Sequence, residues 1–305
     1  MNGQISGIKG MVIPLPTPFL ENGMVDEEIL VELTEFYIKA GVNAVFVLGS
    51  FGQGPALAPE QRKRVAEVTL KQINRRVPTL IHVGAVDPYT CVELGLHAKE
   101  QGADAIAVVG PYYYSDRKDQ EIAEHYKMID QAVGLPILIY NNPEYQGYRI
   151  TPSLMANLVE AAPRIFGSKL AKGSVSEARQ YLRVLPKEFS VFAPAGNLFP
   201  GMLVGISGTI SPPLSAYPEL GVQMVKTIGV RDWVEATKLQ LKIFDFLEVV
   251  SPPFARYGRI AQCEALRFRG FKIKRFPRWP TPALPDEVKK KLFAGLEKLE
   301  IPRGH

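Results

Sequence analysis

The chain of 305 residues is poor in the residues that make staples and metal sites. It has two cysteines, Cys91 and Cys263, far apart in helix-like contexts, and four histidines, none at ligand spacing from either thiol. A disulfide framework is excluded and a zinc site disfavoured, so both thiols read as buried structural groups. No stretch approaches the roughly 18 consecutive apolar residues of a membrane helix. The start, "MNGQISGIKGMVIPLPTPF", lacks the charged, apolar and small-residue order of a secretion signal. A soluble cytoplasmic protein with no membrane partner is expected. The glycine-rich dinucleotide fingerprint is also missing, since "PLPTPFLENG" follows the first apolar run. That weighs against the doubly wound open sheet, the runner-up architecture. The excess of positive charge is mild, +5, and much of it lies in "LRFRGFKIKRFPRW", with Arg267, Arg269, Lys272, Lys274, Arg275 and Arg278. A short basic run of this kind reads as a solvated face or subunit contact rather than a nucleic-acid patch.

What is present is a regular alternation. Eight β-rich runs occur at 11–15, 44–48, 79–83, 105–109, 137–140, 165–169, 190–194 and 208–211. Most are continuously apolar, as parallel strands buried on both faces are. The segments between them carry helix marks. Asp26 can cap a helix whose inner face is Ile29, Leu30, Leu33, Phe36 and Tyr37, ending near Gly41; Pro59 and Thr151-Pro152 suit first turns. Eight strand–helix units in roughly 220 residues predict an α/β fold, a (β/α)₈ TIM barrel. Beyond residue 222 the β signal ends. "DWVEATKLQLKIFDFLEVV" and "DEVKKKLFAGLEKL" read as amphipathic helices joined by "FPRWPTPALP". The expected organisation is a barrel over 1–222 carrying the site and a C-terminal helical region over 223–305 packed on it.

A barrel of this type places its chemistry at the C-terminal ends of its strands. There the sequence offers "LGSFGQG", "GPYYYSDR", "IYNNP" and "GSKLAKG", with "GISGTIS" on the eighth strand. None of the histidines is expected at such an end; His82 reads as a satisfied core residue inside the third strand. Each feature alone has a bland explanation: a strand-end lysine is usually a solvated cap and tyrosines are usually packing. Together, a lysine and a phenol in an apolar mouth suit carbonyl chemistry. Desolvation disfavours an ammonium and yields an amine able to attack a ketone; the imine is then an electron sink for making or breaking an adjacent carbon–carbon bond. A tyrosine can move the protons, and the backbone of Gly49-Ser50-Phe51-Gly52 can receive a carboxylate. Whether Lys169 or Lys172 is the reacting group stays open on these grounds.

With these residues in view, the sequence resembles the dihydrodipicolinate synthase / N-acetylneuraminate lyase family of pyruvate-dependent class I aldolases, from about residue 8 to beyond 285. The resemblance is carried by "PLPTPFLENGMVDEEIL", "GVNAVFVLGSFGQGPALAPEQRKRV", "QGADAIAVVGPYYY", "LPILIYNNP", "GSKLAKGS" and "FPRWPTPALPDEV". It implies Lys169 as the Schiff-base lysine, Tyr140 as the general acid/base, and Ser50 as the hydroxyl that holds the pyruvate carboxylate. Tyr113 is implied as the tyrosine that reaches a neighbouring subunit's site in related tetramers. Phe51, Gly52, Tyr145, Gly196 and Ile210 are implied as substrate-binding positions, with no metal and no cofactor beyond the covalent imine.

Three departures bear on substrate. Phe51 stands where the family has a second threonine, as in hydratase-aldolase relatives acting on aromatic substrates, and Gln53 where it has a glutamate. Tyr145 stands where synthases proper carry the arginine that clamps aspartate semialdehyde, and losing a bidentate cation costs a carboxylate partner several kcal/mol. Arg149 or Arg117 could substitute. The stretch "GQGP" and a tyrosine triplet followed by Arg117 resemble archaeal-type 2-keto-3-deoxygluconate aldolases. The expected function is therefore a lyase joining pyruvate to, or releasing it from, a polar or sugar-derived aldehyde. The alternatives are 4-hydroxy-tetrahydrodipicolinate synthase proper and a non-catalytic keto-acid-binding barrel. A small-molecule substrate and a homo-oligomer, dimer or tetramer, are the expected partners.

Overall fold

The computed structural model describes residues 8–304, so the reading of the N-terminal stretch as signal-free lies partly outside the described residues. The strands are β1 (Gly10–Pro14), β2 (Ala44–Val47), β3 (Thr79–His82), β4 (Ala105–Val109), β5 (Ile137–Asn141), β6 (Ile165–Leu170), β7 (Ser190–Ala193) and β8 (Gly208–Thr209). Each pairs in parallel with the next and β8 pairs with β1, closing the barrel. Among the described residues no helix is long and apolar enough to cross a membrane.

Side chains on a strand alternate between two faces, and here the alternation divides the apolar residues into two cores. Val12, Ala44, Phe46, Leu80, Ala107, Leu138, Phe192 and Ile210 fill the barrel interior. Met11, Val45, Ile81, Ile106, Ile139 and Val191, one residue out of step, pack under the surrounding helices. The same parity sends Tyr140, two residues after Leu138, and Lys169, two after Gly167, into the uppermost interior layer.

Local signals place the helices. The Asp26 carboxylate accepts from the Ile29 N–H (3.4 Å), and Gly41, at φ 81°, ends the helix Glu27–Ala40. Thr151 caps Pro152–Ala161 through the Leu154 N–H (3.2 Å). The boundary expected at 222–223 falls within the helix Pro218–Gly229, which packs on β1 and on Glu27–Ala40.

The C-terminal region differs from expectation in two ways. The helix Trp233–Tyr257 runs on through Pro252 and Pro253. After a break at Gly258 (φ 70°), a further helix, Arg259–Phe268, precedes Asp286–Lys298. The basic run is also not a free face. Arg267 pairs with Glu264 (2.6 Å) and donates to the Ile273 carbonyl (2.7 Å). Arg269, buried, pairs with Glu219 (2.7 Å), and Lys274 pairs with Asp26 (3.1 Å). Arg275 donates to the Glu21 carbonyl (2.9 Å), and Arg278 to the carbonyls of Gly23 and Ala56. Arg269, Lys274, Arg275 and Arg278 stitch the C-terminal segment to the barrel, because each satisfies a carbonyl or carboxylate far away in sequence, whereas Arg267 braces its own turn.

Candidate active site

The two lysines of "GSKLAKG" part company. Lys169 is 6% exposed and lies in register beside Tyr140, on the adjacent strand. Its Nζ is 4.0 Å from the Tyr140 ring centroid and 5.6 Å from that of Phe46. Lys172 lies beyond the strand, exposed, and pairs with Glu144. The strand's end thus decides which ammonium enters the mouth.

The loop after β5 is organised by consecutive asparagines. Asn141 donates to the Ile150 carbonyl (2.9 Å), while Asn142 caps the short helix Pro143–Gln146 through the Glu144 N–H (3.2 Å). The Asn142 amide also donates to the Tyr140 hydroxyl (3.2 Å), and Ser50 Oγ donates to the same oxygen (3.2 Å). Burial alone would raise the Tyr140 phenol. The Lys169 ammonium, together with these hydrogen bonds, outweighs it and holds the phenol below its ordinary range.

The turn after β2 is tight. A Cβ at Gly52 would stand 2.8 Å from the Leu15 carbonyl oxygen, and one at Gly54 would run into that of Leu48. Thr17 Oγ1 holds the turn by donating to the Gly52 carbonyl (2.6 Å). The Phe51 side chain does not face the mouth; it packs edge-on against Phe276 at 5.5 Å between centroids. What it offers a ligand is its backbone N–H, which with that of Gly52 has no hydrogen-bond partner among the described residues.

Beside this cluster opens a pocket of about 220 Å³ reached from Ser50 and lined also by His82, Tyr112, Tyr145, Arg259 and Trp279. Tyr145 lies at its rim, its hydroxyl accepting from Arg259 Nη2 (3.3 Å). Gly196, in the turn after β7, and Ile210, just after β8, stand at neighbouring strand ends but do not line it. Tyr113 is 81% exposed at φ 76° and turns away; the preceding Tyr112 lines the pocket instead. Neither proposed substitute cation reaches the pocket. Arg149 is paired with Glu177, and Arg117 is not among the residues that line the pocket.

His82 corrects the sequence reading. It is the last residue of β3, faces inward in step with Leu80, and stacks edge-on against Phe46 and Tyr140, both at 6.1 Å. Its Nε2 accepts from the Val109 N–H (3.3 Å). Burial, then the nearby Arg62 and Lys169 charges, push its pKa well below the usual range, so the ring is neutral. Strand parity could have found it. Nothing in the sequence pattern pointed to Arg259 or Trp279.

The "Dihydrodipicolinate synthetase family" model matches residues 7–299. The chain belongs to this family. It is an enzyme of the lyase type that the family comprises. A 4-hydroxy-tetrahydrodipicolinate synthase of Desulfotalea psychrophila is 30% identical over 99% of this chain and 100% of the relative. Escherichia coli YagE, provisionally named a 2-dehydro-3-deoxy-D-gluconate aldolase, is 32% identical over 71% of this chain and 73% of its own. The crystal structure of YagE with pyruvate superposes with a TM-score of 0.89 at 28% identity, covering 97% of this chain and 99% of that one. The barrel and the lyase assignment expected from the sequence are both borne out.

Proposed function

We propose that the protein is a pyruvate-dependent class I aldolase in which Lys169 carries the substrate as an imine. The observation that carries this is a buried lysine with no carboxylate paired to it among the described residues, its Nζ over the ring of a phenol hydrogen-bonded to Ser50. The pyruvate carboxylate is received by Ser50 Oγ and the free N–H groups of Phe51 and Gly52. The Lys169 amine adds to the ketone carbon, and the oxygen leaves as water after protonation through Tyr140. The Tyr140 phenolate then takes a proton from the methyl carbon, giving the enamine, which attacks the aldehyde carbon; the resulting alkoxide takes that proton back from Tyr140. Water then cleaves the imine and restores Lys169. Cleavage runs the same steps backwards.

The chemistry needs no cofactor beyond the imine. Tyr113, exposed at a backbone angle unusual for a bulky residue, supports a homo-oligomer in which it meets a neighbour. The synthase reading remains as a second one, supported by the full-length match to the Desulfotalea relative. Borohydride reduction in the presence of pyruvate tests the reading. A pyruvate-derived adduct on the peptide containing Lys169 is expected; an adduct on Lys172, or none with pyruvate still bound, would refute it. The latter result is the signature of a non-catalytic binding barrel.

A further inference from the structure

Lys169 and Tyr140 account for one side of the mouth. The other side, the pocket of about 220 Å³, is lined, apart from Ser50, by residues that the imine chemistry does not use. Its wall is largely apolar, with Pro55, Ala56, Val109 and Trp279, and among the described residues no aspartate or glutamate lines it. Into this wall the C-terminal region inserts a guanidinium. Arg259 opens the helix Arg259–Phe268, donates to the Tyr145 hydroxyl, and lies 5.9 Å from the Trp279 ring centroid. No carboxylate pairs with it among the described residues, whereas Arg267, Arg269, Lys274, Arg275 and Arg278 of the following basic run are tied to carbonyls or acids.

A second group in the same wall is also short of an acceptor. Gln53 is 2% exposed, at φ 56°, and its Oε1 accepts from the Arg278 backbone N–H (2.7 Å). That bond leaves the Nε2 donors as the free end of the amide, and they have no partner among the described residues. A buried amide lacking an acceptor costs free energy unless a ligand supplies one. The pocket therefore presents an unpaired guanidinium and an unpaired amide donor with no anion of its own.

We propose that Arg259, assisted by Gln53, determines acceptor specificity by binding an acid group, carboxylate or phosphate, on the aldehyde partner. This rests on the aldolase reading above and names its substrate class: an aldehyde bearing an anion at the end distant from the carbonyl. The cation missing after β5 is thus supplied from the C-terminal region, with Tyr145 as the rest that orients it. A planar guanidinium suits both oxyanions.

The test pairs acid aldehydes with neutral counterparts: 4-oxobutanoate against butanal, and glyceraldehyde 3-phosphate against glyceraldehyde, each with pyruvate. At least one acid member is expected to exceed its counterpart in kcat/KM by about 30-fold or more, with Arg259→Gln shrinking that ratio to a few-fold and Arg259→Lys restoring part of it. Which pair shows the effect identifies carboxylate or phosphate. Equal rates within both pairs, or an Arg259→Gln variant that slows acid and neutral aldehydes alike, would overturn the proposal. Where no aldehyde turns over, succinate and glycerol 3-phosphate are titrated into pyruvate-saturated protein and Trp279 fluorescence is followed, with Trp279→Phe as the control. Binding that weakens at least about 10-fold in Arg259→Gln supports the anion site, and absence of Arg259-dependent binding overturns it. Borohydride trapping is run in parallel. Arg259-dependent binding without a pyruvate adduct would remove the aldolase reading and leave the anion site standing.

Discussion

The two sides of the mouth are built from different parts of the chain. Lys169 and Tyr140 sit on adjacent barrel strands, are 6% and 4% exposed, and are held in register by the sheet itself. Tyr145, Arg259 and Trp279 come from a loop helix and the C-terminal region, and Tyr145 and Trp279 are about half exposed, 49% and 47%. A strand-borne pair cannot move without breaking the ladder, so the bond-making chemistry is fixed by the barrel. The acceptor side rests on segments that can change without disturbing that ladder. Specificity can therefore vary while the proposed imine step stays as it is, which accords with synthases and an aldolase among the relatives.

The largest effect expected is on the strand side. Lys169→Ala should abolish the borohydride adduct and lower turnover on the order of 10⁴-fold or more, since among the described residues no other amine lines the mouth. Pyruvate should still bind through Ser50 and the turn after β2. A Lys169→Ala variant that kept normal turnover would end the comparison. Tyr140→Phe should come next. It keeps the ring beneath Lys169 but removes the hydroxyl, so the adduct should still form, more slowly, while turnover falls roughly 10²- to 10⁴-fold, the usual range for a lost general acid/base. Single-turnover trapping against steady-state rate separates the two steps.

A smaller effect probes the other side. The Arg278 side chain donates to the carbonyls of Gly23 and Ala56 and anchors the segment that carries Trp279. Arg278→Ala should loosen that wall and raise the acceptor KM by roughly 10-fold, a change of about 1.4 kcal/mol. The pyruvate KM should move far less. Equal increases in both constants would mean that the two sides are not separable.

The difference between the sides also sets what the sequence could reveal. The residue pattern left Lys169 and Lys172 both open and the family resemblance chose Lys169; the folded chain separates them because a residue three positions further on has already left the strand. The barrel itself was legible in the eight apolar runs, because each strand is a local pattern. His82 obeyed that parity, two residues after Leu80, but its place at the mouth was masked by reading the run as extending to Val83. Arg259 followed no local pattern. Its helix is ten residues long and stands behind a Pro252–Pro253 pair that reads as a stop, and only the return of the chain after Trp233 brings it to Tyr145. The basic run was misread similarly, since Arg269 and Glu219 meet only in the folded protein. Gln53 was visible as a departure from the family glutamate. That its amide has a free donor end required the Arg278 N–H to be on its other side.

The smallest expected effect concerns stability and separates the mouth from the surrounding helices. His125 lies in the helix Asp119–Val133, 6% exposed, and burial first, then the charge of Arg117, lower its pKa from 6.5 to about 4. The unfolded chain takes up a proton that the folded chain refuses between these values. The contribution is thus intact above about pH 6.5, declines as pH falls, and levels off below about pH 4. At pH 5.5 the loss from this ring is about 1.4 kcal/mol, against roughly 3 kcal/mol once the folded ring also titrates. His82 adds a loss of the same sign, reaching further into acid because its pKa is lowered more strongly. His125→Phe keeps an aromatic ring against Tyr126, whose centroid is 5.6 Å away, and removes the titrating nitrogens. Urea unfolding at pH 7.5 and 5.5 should then show the variant losing about 1.4 kcal/mol less than the natural protein on acidification. Because His125 lies outside the mouth, the kcat ratio between the two proteins should be the same at both pH values. An acid-induced change in that ratio would tie the outer helix to the chemistry and undo the division between scaffold and site.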